Sequence, residues 1–308
     1  MKFLYLLEGI RNPVFDLLVG AITYLGDEIA FLAIALAVFW CIDKRRGYYL
    51  LGTGFAGTII NQTLKLCFRI PRPWVLDPNF KAVESAIPAA TGYSFPSGHT
   101  QNVSCTLGGV ARFTKKLWLR IVSLVLIVLV AFSRMYLGVH TPKDVLVSLA
   151  IGAILVLALY PLFELANKKP WLYYVIFGGM VALSVAFLIF TQVLPNYVEL
   201  DAEHISSGVK NAATILGASV GILVIYALDA NLIKFDEKAP LIGQILKFFI
   251  GVAIVVGLKS GLKVLFGGSD EHFMLRALRY CLIVVFAGGV YPLTFKLFAK
   301  IGKRKNRV

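Results

Sequence analysis

The amino-acid sequence predicts an all-α fold, a polytopic transmembrane helical bundle. Three observations predict it: a composition too apolar for water, a series of apolar runs of membrane-spanning length, and basic residues gathered in alternate connections. The 308 residues are 58% hydrophobic and only 16% charged, which leaves too little polar surface to solvate a globule of this size. Runs such as 121–130, 151–160 and 175–190 are apolar on every side, as helices in lipid must be when each backbone group bonds within its own helix. The formal net charge of +14 does not point to nucleic acid, because the basic residues lie in short loops beside apolar runs rather than along one soluble face. It is assigned to topology control and anionic lipid headgroups.

Residues 1–27 mix apolar and polar positions, interrupted by Pro13, Asp16 and Gly26, which suits one or two interfacial N-terminal helices. Glu8 and Arg11 flank the first apolar stretch and no small-residue cleavage site follows, so this segment is expected to be retained. A core over 28–192 is predicted to contain spans at 28–42, 47–68, 96–113, 117–139, 141–166 and 171–192. Additional C-terminal helices within 193–308 are predicted at 209–228, 241–266 and 273–298, making nine spans in all. The longest polar connection, 69–95, carries Pro71, Pro73, Pro78 and Pro88; it is too irregular to span and long enough to be functional.

The positive-inside rule orients this series. One face receives Lys44, Arg45 and Arg46, then Arg112, Lys115, Lys116 and Arg120, then Lys168 and Lys169, then Lys234 and Lys238, and finally Lys300, Lys303, Arg304, Lys305 and Arg307. That face is read as cytoplasmic, with the C-terminus on it. The other receives 69–95, the 134–144 turn, the acidic loop with Glu199, Asp201 and Glu203, and the connection with Asp270 and Glu271. A multi-pass protein of a bacterial plasma membrane follows. The four cysteines, Cys41, Cys67, Cys105 and Cys281, fall in apolar segments without paired spacing and are expected to be buried, reduced and inert. The glycosylation patterns at Asn61 and Asn102 fall in expected spans and are discounted.

Three short segments meet on the outer face: Lys65-LCFRIP-Arg72-Pro73, Pro96-Ser97-Gly98-His99, and Ser133-Arg134-MYLGV-His140-TPK-Asp144. Ionisable groups at membrane depth are costly and need a partner, and a bound anion would supply one. Lys65, Arg72 and Arg134 offer fixed cations of the kind that stabilise charge developing on a transferring phosphoryl group. Ser97, Gly98 and His99 open a helix, whose free N–H groups and positive dipole end form a phosphate seat. His140 and Asp144 are four residues apart, so the carboxylate can orient the imidazole. In this arrangement His140 attacks phosphorus and His99 protonates the leaving group. No cluster of carboxylates or cysteines accompanies them, so neither a metal nor another cofactor is expected.

These segments resemble the tripartite signature of the type-2 phosphatidic acid phosphatase superfamily, KX6RP, PSGH and SRX5HX3D, at every signature position over roughly residues 28–166. The resemblance implies that Lys65, Arg72, Ser97, Gly98 and Arg134 bind phosphate, His99 is the general acid, His140 the nucleophile and Asp144 its partner. It also implies a helical bundle in which a lipid headgroup enters from the bilayer. The implied substrates include phosphatidic acid, phosphatidylglycerol phosphate, undecaprenyl diphosphate, lipid A and sphingoid phosphates. A lipid phosphotransferase using the same site, and a lipid or anion transporter, are the competing readings.

Beyond the core, Lys259, Lys263, Arg276 and Arg279 reach the outer ends of two helices. Snorkelling or lipid-phosphate anchoring accounts for them, and a second headgroup-binding cluster is the sharper alternative. Arg69 is read as an interfacial cation, His204 as a solvated loop residue and His272 as a helix-end residue.

Overall fold

The computed structural model describes residues 1–198, 202–266 and 272–301. Of the expected loop and tail charges, Glu199, Asp201, Asp270, Glu271, Lys303, Arg304, Lys305 and Arg307 lie outside the described residues. Within them the chain is helical and no strand is present. The helices run in order α1 Lys2–Gly9, α2 Pro13–Thr23, α3 Glu28–Cys41, α4 Lys44–Phe68, α5 Pro73–Leu76, α6 Gly98–Phe113, α7 Leu117–Tyr136, α8 Pro142–Lys168, α9 Trp171–Val193, α10 Ala202–Leu228, α11 Leu241–Leu265, α12 Phe273–Val285 and α13 Phe295–Phe298.

Six helical stretches among the described residues are long and apolar enough to cross a membrane: 117–136, 142–168, 171–196, 203–233, 241–265 and 273–298. The N-terminal 13–26 and 28–41 reach that standard only together, as a pair bent by 52°. The last six of the nine expected spans meet that standard; the first meets it only with the segment before it, and the second and third, α4 and α6, are helical but less apolar. α4 and α6 are helices where expected, yet they carry Thr53, Asn61, Lys65, Gln101, Ser104 and Thr106, all buried. They exchange lipid-like composition for a polar inner surface. The first expected span is one arm of a bent pair whose other arm was read as interfacial.

The chain divides into two compact units, residues 1–32 with 49–162 and residues 33–48 with 163–308. In the first, α7 packs against α6, α1 and α2. Local sequence sets several of its helix ends. Asn12 caps α2 by accepting from the Phe15 amide at 3.0 Å, with Pro13 at the first helical position, a preferred start. α7 ends at Tyr136, and Gly138 adopts φ +76°, a conformation glycine takes without steric cost. The chain then turns back, so that the amides of Val139 and His140 both donate to the Arg134 carbonyl at 3.2 Å. Arg11 ties the N-terminal segment to this turn through the Tyr136 carbonyl at 2.9 Å, and it also donates to the Lys81 carbonyl.

In the second unit α10 packs between α9 and α12. Side chains are sacrificed where α10 meets α12: a Cβ at Gly217 would fall 2.0 Å from the Ala277 carbonyl oxygen, and one at Gly221 would fall 2.7 Å from Val284 Cβ. Small residues at such seams let helix backbones approach in lipid, where packing rather than water exclusion holds helices together. Tyr173 stacks on Tyr226 at 4.6 Å, and Trp40 Nε1 donates to the Ala287 carbonyl at 2.9 Å. Lys44 pairs with buried Asp229 at 2.9 Å. Both units turn large apolar side chains outward, among them Leu146, Ile154 and Leu157 of α8 and Phe249 and Val256 of α11.

The cysteines depart in part from expectation. All four are free, but only Cys105 is buried; Cys67, next to the end of α4, is exposed. His204 is part-buried on α10 rather than fully solvated, while His272 is exposed at the N-cap of α12. Asn61 and Asn102 are structural donors, to the carbonyls of Pro96 at 3.4 Å and Gly26 at 3.2 Å.

Candidate active site

The signature residues all lie in the first unit, at the end of α4, the start of α6, the end of α7 and the start of α8. His140 is 2% exposed and Asp144 1%. Pro142 opens α8 and Asp144 sits in its first turn, where a carboxylate is favoured by the helix dipole. Asp144 Oδ2 accepts from the Thr141 amide at 2.8 Å and from Ser94 Oγ at 2.6 Å, and it stands 3.5 Å from His140 Nδ1. Ser94 Oγ itself lies 3.4 Å from that nitrogen.

The opposite ring nitrogen fixes the tautomer. Arg72 Nη1 lies 3.0 Å from His140 Nε2. A guanidinium only donates, so Nε2 accepts and the ring proton resides on Nδ1, on the side of Ser94 and Asp144. Arg72 is held by three further bonds, from Nε to the Gly92 carbonyl at 3.0 Å, Nη2 to Thr91 at 2.6 Å and Nη1 to Val139 at 3.0 Å. Burial lowers the Arg72 pKa to about 10, which leaves it a cation at neutral pH. Burial, then the charges of Arg72, Arg134 and Lys65 and the nearby His99, push the His140 pKa well below its ordinary value. His140 is neutral at neutral pH, with the Nε2 lone pair facing Arg72.

Lys65 and Arg134 are both buried. Lys65 Nζ donates to the Tyr93 carbonyl at 2.6 Å, and Arg134 Nη1 donates to Thr23 Oγ1 at 2.6 Å. Arg134 Nε is buried with no hydrogen bond, as is Asp144 Oδ1. A buried donor without a partner costs about 1–3 kcal/mol, which an anionic oxygen would offset. Ser97 is the N-cap of α6, and its Oγ accepts from Thr100 Oγ1 at 3.0 Å. Its hydroxyl is thereby committed to the helix start. The Gly98 and His99 amides that follow make no hydrogen bond among the described residues, so they are available to a phosphate.

Three participants escaped the sequence reading. Ser94 lies two residues before the PSGH segment and bridges Asp144 and His140. Thr23 and Asp27 come from the N-terminal segment, and Asp27 Oδ1 stands 2.7 Å from His99 Nε2. A carboxylate between two apolar runs was the available signal for Asp27; nothing in spacing singled out Ser94 or Thr23. The secondary basic residues are placed in the other unit. Lys259 and Lys263 are exposed on α11. Arg276 Nε donates to Thr214 Oγ1 at 2.8 Å and to the Lys210 carbonyl at 3.1 Å, and Arg279 is buried. Among the described residues no three His, Cys, Asp or Glu side chains form a group able to hold a metal ion.

Residues 46–168 match the model of the PAP2 superfamily, and residues 209–304 match that of the PAP2 superfamily phosphatase transmembrane extension. The additional C-terminal helices thus correspond to a recognised extension. The chain is 34% identical over 149 residues to undecaprenyl-diphosphatase BcrC of Bacillus subtilis, covering 47% of this chain and 73% of the relative. It is 27% identical over 157 residues to phosphatidylglycerophosphatase B of the same organism, covering 47% and 74%. A 66-residue stretch is 41% identical to an undecaprenyl-diphosphatase of Sulfolobus acidocaldarius, covering 21% and 32%. No solved structure matches the chain significantly.

Proposed function

This chain belongs to the PAP2 superfamily, and from that membership we propose that it removes the terminal phosphoryl group of a membrane lipid phosphate or isoprenoid diphosphate through a phosphohistidine, without a metal. The reading rests on the state of His140: protonated on Nδ1 toward Asp144, with its Nε2 lone pair on the Arg72 guanidinium. That is the form an imidazole needs to attack phosphorus.

Substrate phosphate takes the place of the Arg72 contact on Nε2. Lys65, Arg72 and Arg134 neutralise its oxygens, and the Gly98 and His99 amides donate to them. His140 Nε2 bonds to phosphorus while the leaving oxygen takes a proton from His99. The positive charge on the phosphorylated ring is balanced by Asp144, itself held by Ser94 and the Thr141 amide. Water then attacks, His99 accepts its proton, and phosphate departs with the P–N bond broken. The names of two relatives make an isoprenyl diphosphate the first substrate to test, and phosphatidylglycerol phosphate the second. The site is proposed to face outward in a bacterial plasma membrane.

The test is phosphate release by the purified chain from undecaprenyl diphosphate, phosphatidylglycerol phosphate and phosphatidic acid in the presence of a chelator. Turnover of at least one lipid is expected, with kcat lowered by about 10³-fold or more in His140→Ala. Quenching in alkaline detergent, which preserves the acid-labile P–N bond, should trap phosphate on the wild-type protein and none on the variant. Activity that vanishes with chelator and returns with a divalent ion would remove the metal-independent reading. Undiminished activity in His140→Ala would remove the nucleophile.

A further inference from the structure

Both family matches leave residues 1–45 unassigned, yet this segment reaches the site at two points. Thr23 Oγ1 accepts from Arg134, and the Asp27 carboxylate meets His99. Asp27 occupies the break between 13–26 and 28–41, where the two arms meet at 52°. The break is held against α6. Asn102 Nδ2 donates to the Gly26 carbonyl at 3.2 Å, and a Cβ on Gly26 would fall 2.8 Å from both the His99 Cβ and its carbonyl oxygen. Only a residue without a side chain permits that approach, so Gly26 brings Asp27 to the imidazole.

We propose that Asp27 is a positioning residue for proton transfer to the leaving group. The proposal rests on the reading of His99 as the general acid. Asp27 Oδ1 accepts from Nε2–H of His99 at 2.7 Å, which holds the ring and stabilises its protonated form. Nδ1, which makes no hydrogen bond among the described residues, is then the nitrogen that exchanges the proton. As the P–O bond breaks and the bond from His140 Nε2 to phosphorus forms, Nδ1–H passes to the departing oxygen. Neutral His99 keeps Nε2–H on Asp27. In the second step Nδ1 takes a proton from the attacking water as the P–N bond breaks, which restores the imidazolium. Asp27 remains ionised throughout. The site thus carries two histidine–carboxylate pairs, one for the nucleophile and one for the acid, the second supplied from outside the signature.

Leaving-group dependence tests this, because a poor leaving group needs the proton and a good one does not. The purified full chain, Asp27→Asn, Asp27→Glu and His99→Ala are compared on 4-nitrophenyl phosphate, phenyl phosphate and phosphatidic acid in detergent. Compared by kcat/KM, which ends at departure of the leaving group and leaves out the hydrolysis step common to all three substrates, Asp27→Asn is expected to lose roughly ten- to hundred-fold on phosphatidic acid and less than about threefold on 4-nitrophenyl phosphate. Retained 4-nitrophenyl phosphate turnover also certifies that the variant is folded. His99→Ala should show the same trend more steeply, and Asp27→Glu should recover part of the loss on phosphatidic acid. An equal loss on all three substrates, or no loss on phosphatidic acid, overturns the role of Asp27. If His99→Ala itself shows no leaving-group dependence, the acid assignment falls and this proposal with it. Failure of the wild-type chain to release phosphate from any lipid would instead strike at the hydrolase reading.

Discussion

His140 carries the proposed chemistry because its surroundings refuse it a proton. Burial, the cations of Arg72, Arg134 and Lys65, and the nearby His99 all penalise the imidazolium, and Asp144 stands on the Nδ1 side at 3.5 Å. The protonated form is therefore scarce until the pH falls well below the ordinary histidine range. The acid limb of kcat/KM, which reports the free enzyme, is expected below pH ~6.5. Removing the Arg72 charge lifts the largest electrostatic penalty, so the His140 pKa rises and that limb moves to higher pH in Arg72→Gln. Arg72→Lys keeps a charge and should hold the limb near its wild-type position, although both variants lose rate. pH profiles of kcat/KM for the three proteins on one lipid substrate check this. A limb that stays in place in Arg72→Gln would show that the charge does not set the proton affinity.

At the scale of elements, seams between helices rely on residues that present no side chain. The closest is Gly217 of α10, whose Cβ would collide with the Ala277 backbone of α12 rather than with a movable side chain. Gly217→Leu must separate the two helices, at a cost of about 1–3 kcal/mol or more. A lower midpoint for thermal unfolding in detergent is expected, whereas Gly257→Leu, where a Cβ meets nothing within 4 Å, should leave it unchanged. Equal midpoints for the two variants would contradict the seam. Such features also mark how far the sequence could be read. The helices after residue 117 are long apolar runs, and their pattern announced them. α4 and α6 were legible as helices but not as polar-faced ones, because burial of Asn61 or Gln101 depends on what lies opposite. The signature residues were legible through fixed spacing, since the α7 turn and the start of α8 are local structures that carry Arg134, His140 and Asp144 together. Ser94, Thr23 and Asp27 were not, because each joins the site through a contact distant in sequence.

At the scale of the whole molecule, the central question is which side of the membrane the site faces. In the first unit α6 runs from the PSGH segment to Arg112, so its two ends separate the candidate site from the basic cluster Arg112, Lys115, Lys116 and Arg120. Its 16 residues rise about 24 Å, less than the ~30 Å of hydrocarbon. The phosphate seat at its N-terminus therefore lies below one interface if its basic end sits at the other, a depth that suits a headgroup arriving from within the bilayer. The positive-inside rule places a basic cluster of this kind in the cytoplasm, which is the ground for the proposal that the site faces outward. Exposed Lys81 and Lys115 lie beyond opposite ends of α6. Replacing Cys41, Cys67, Cys105 and Cys281 provides a background in which Lys81→Cys and Lys115→Cys can be probed one at a time. Removal of Cys67 matters most, since it is the exposed one. In intact cells a membrane-impermeant maleimide is expected to label Lys81→Cys directly and Lys115→Cys only after permeabilisation. The reverse pattern would put the site in the cytoplasm, and the substrate would then have to be sought in the inner leaflet.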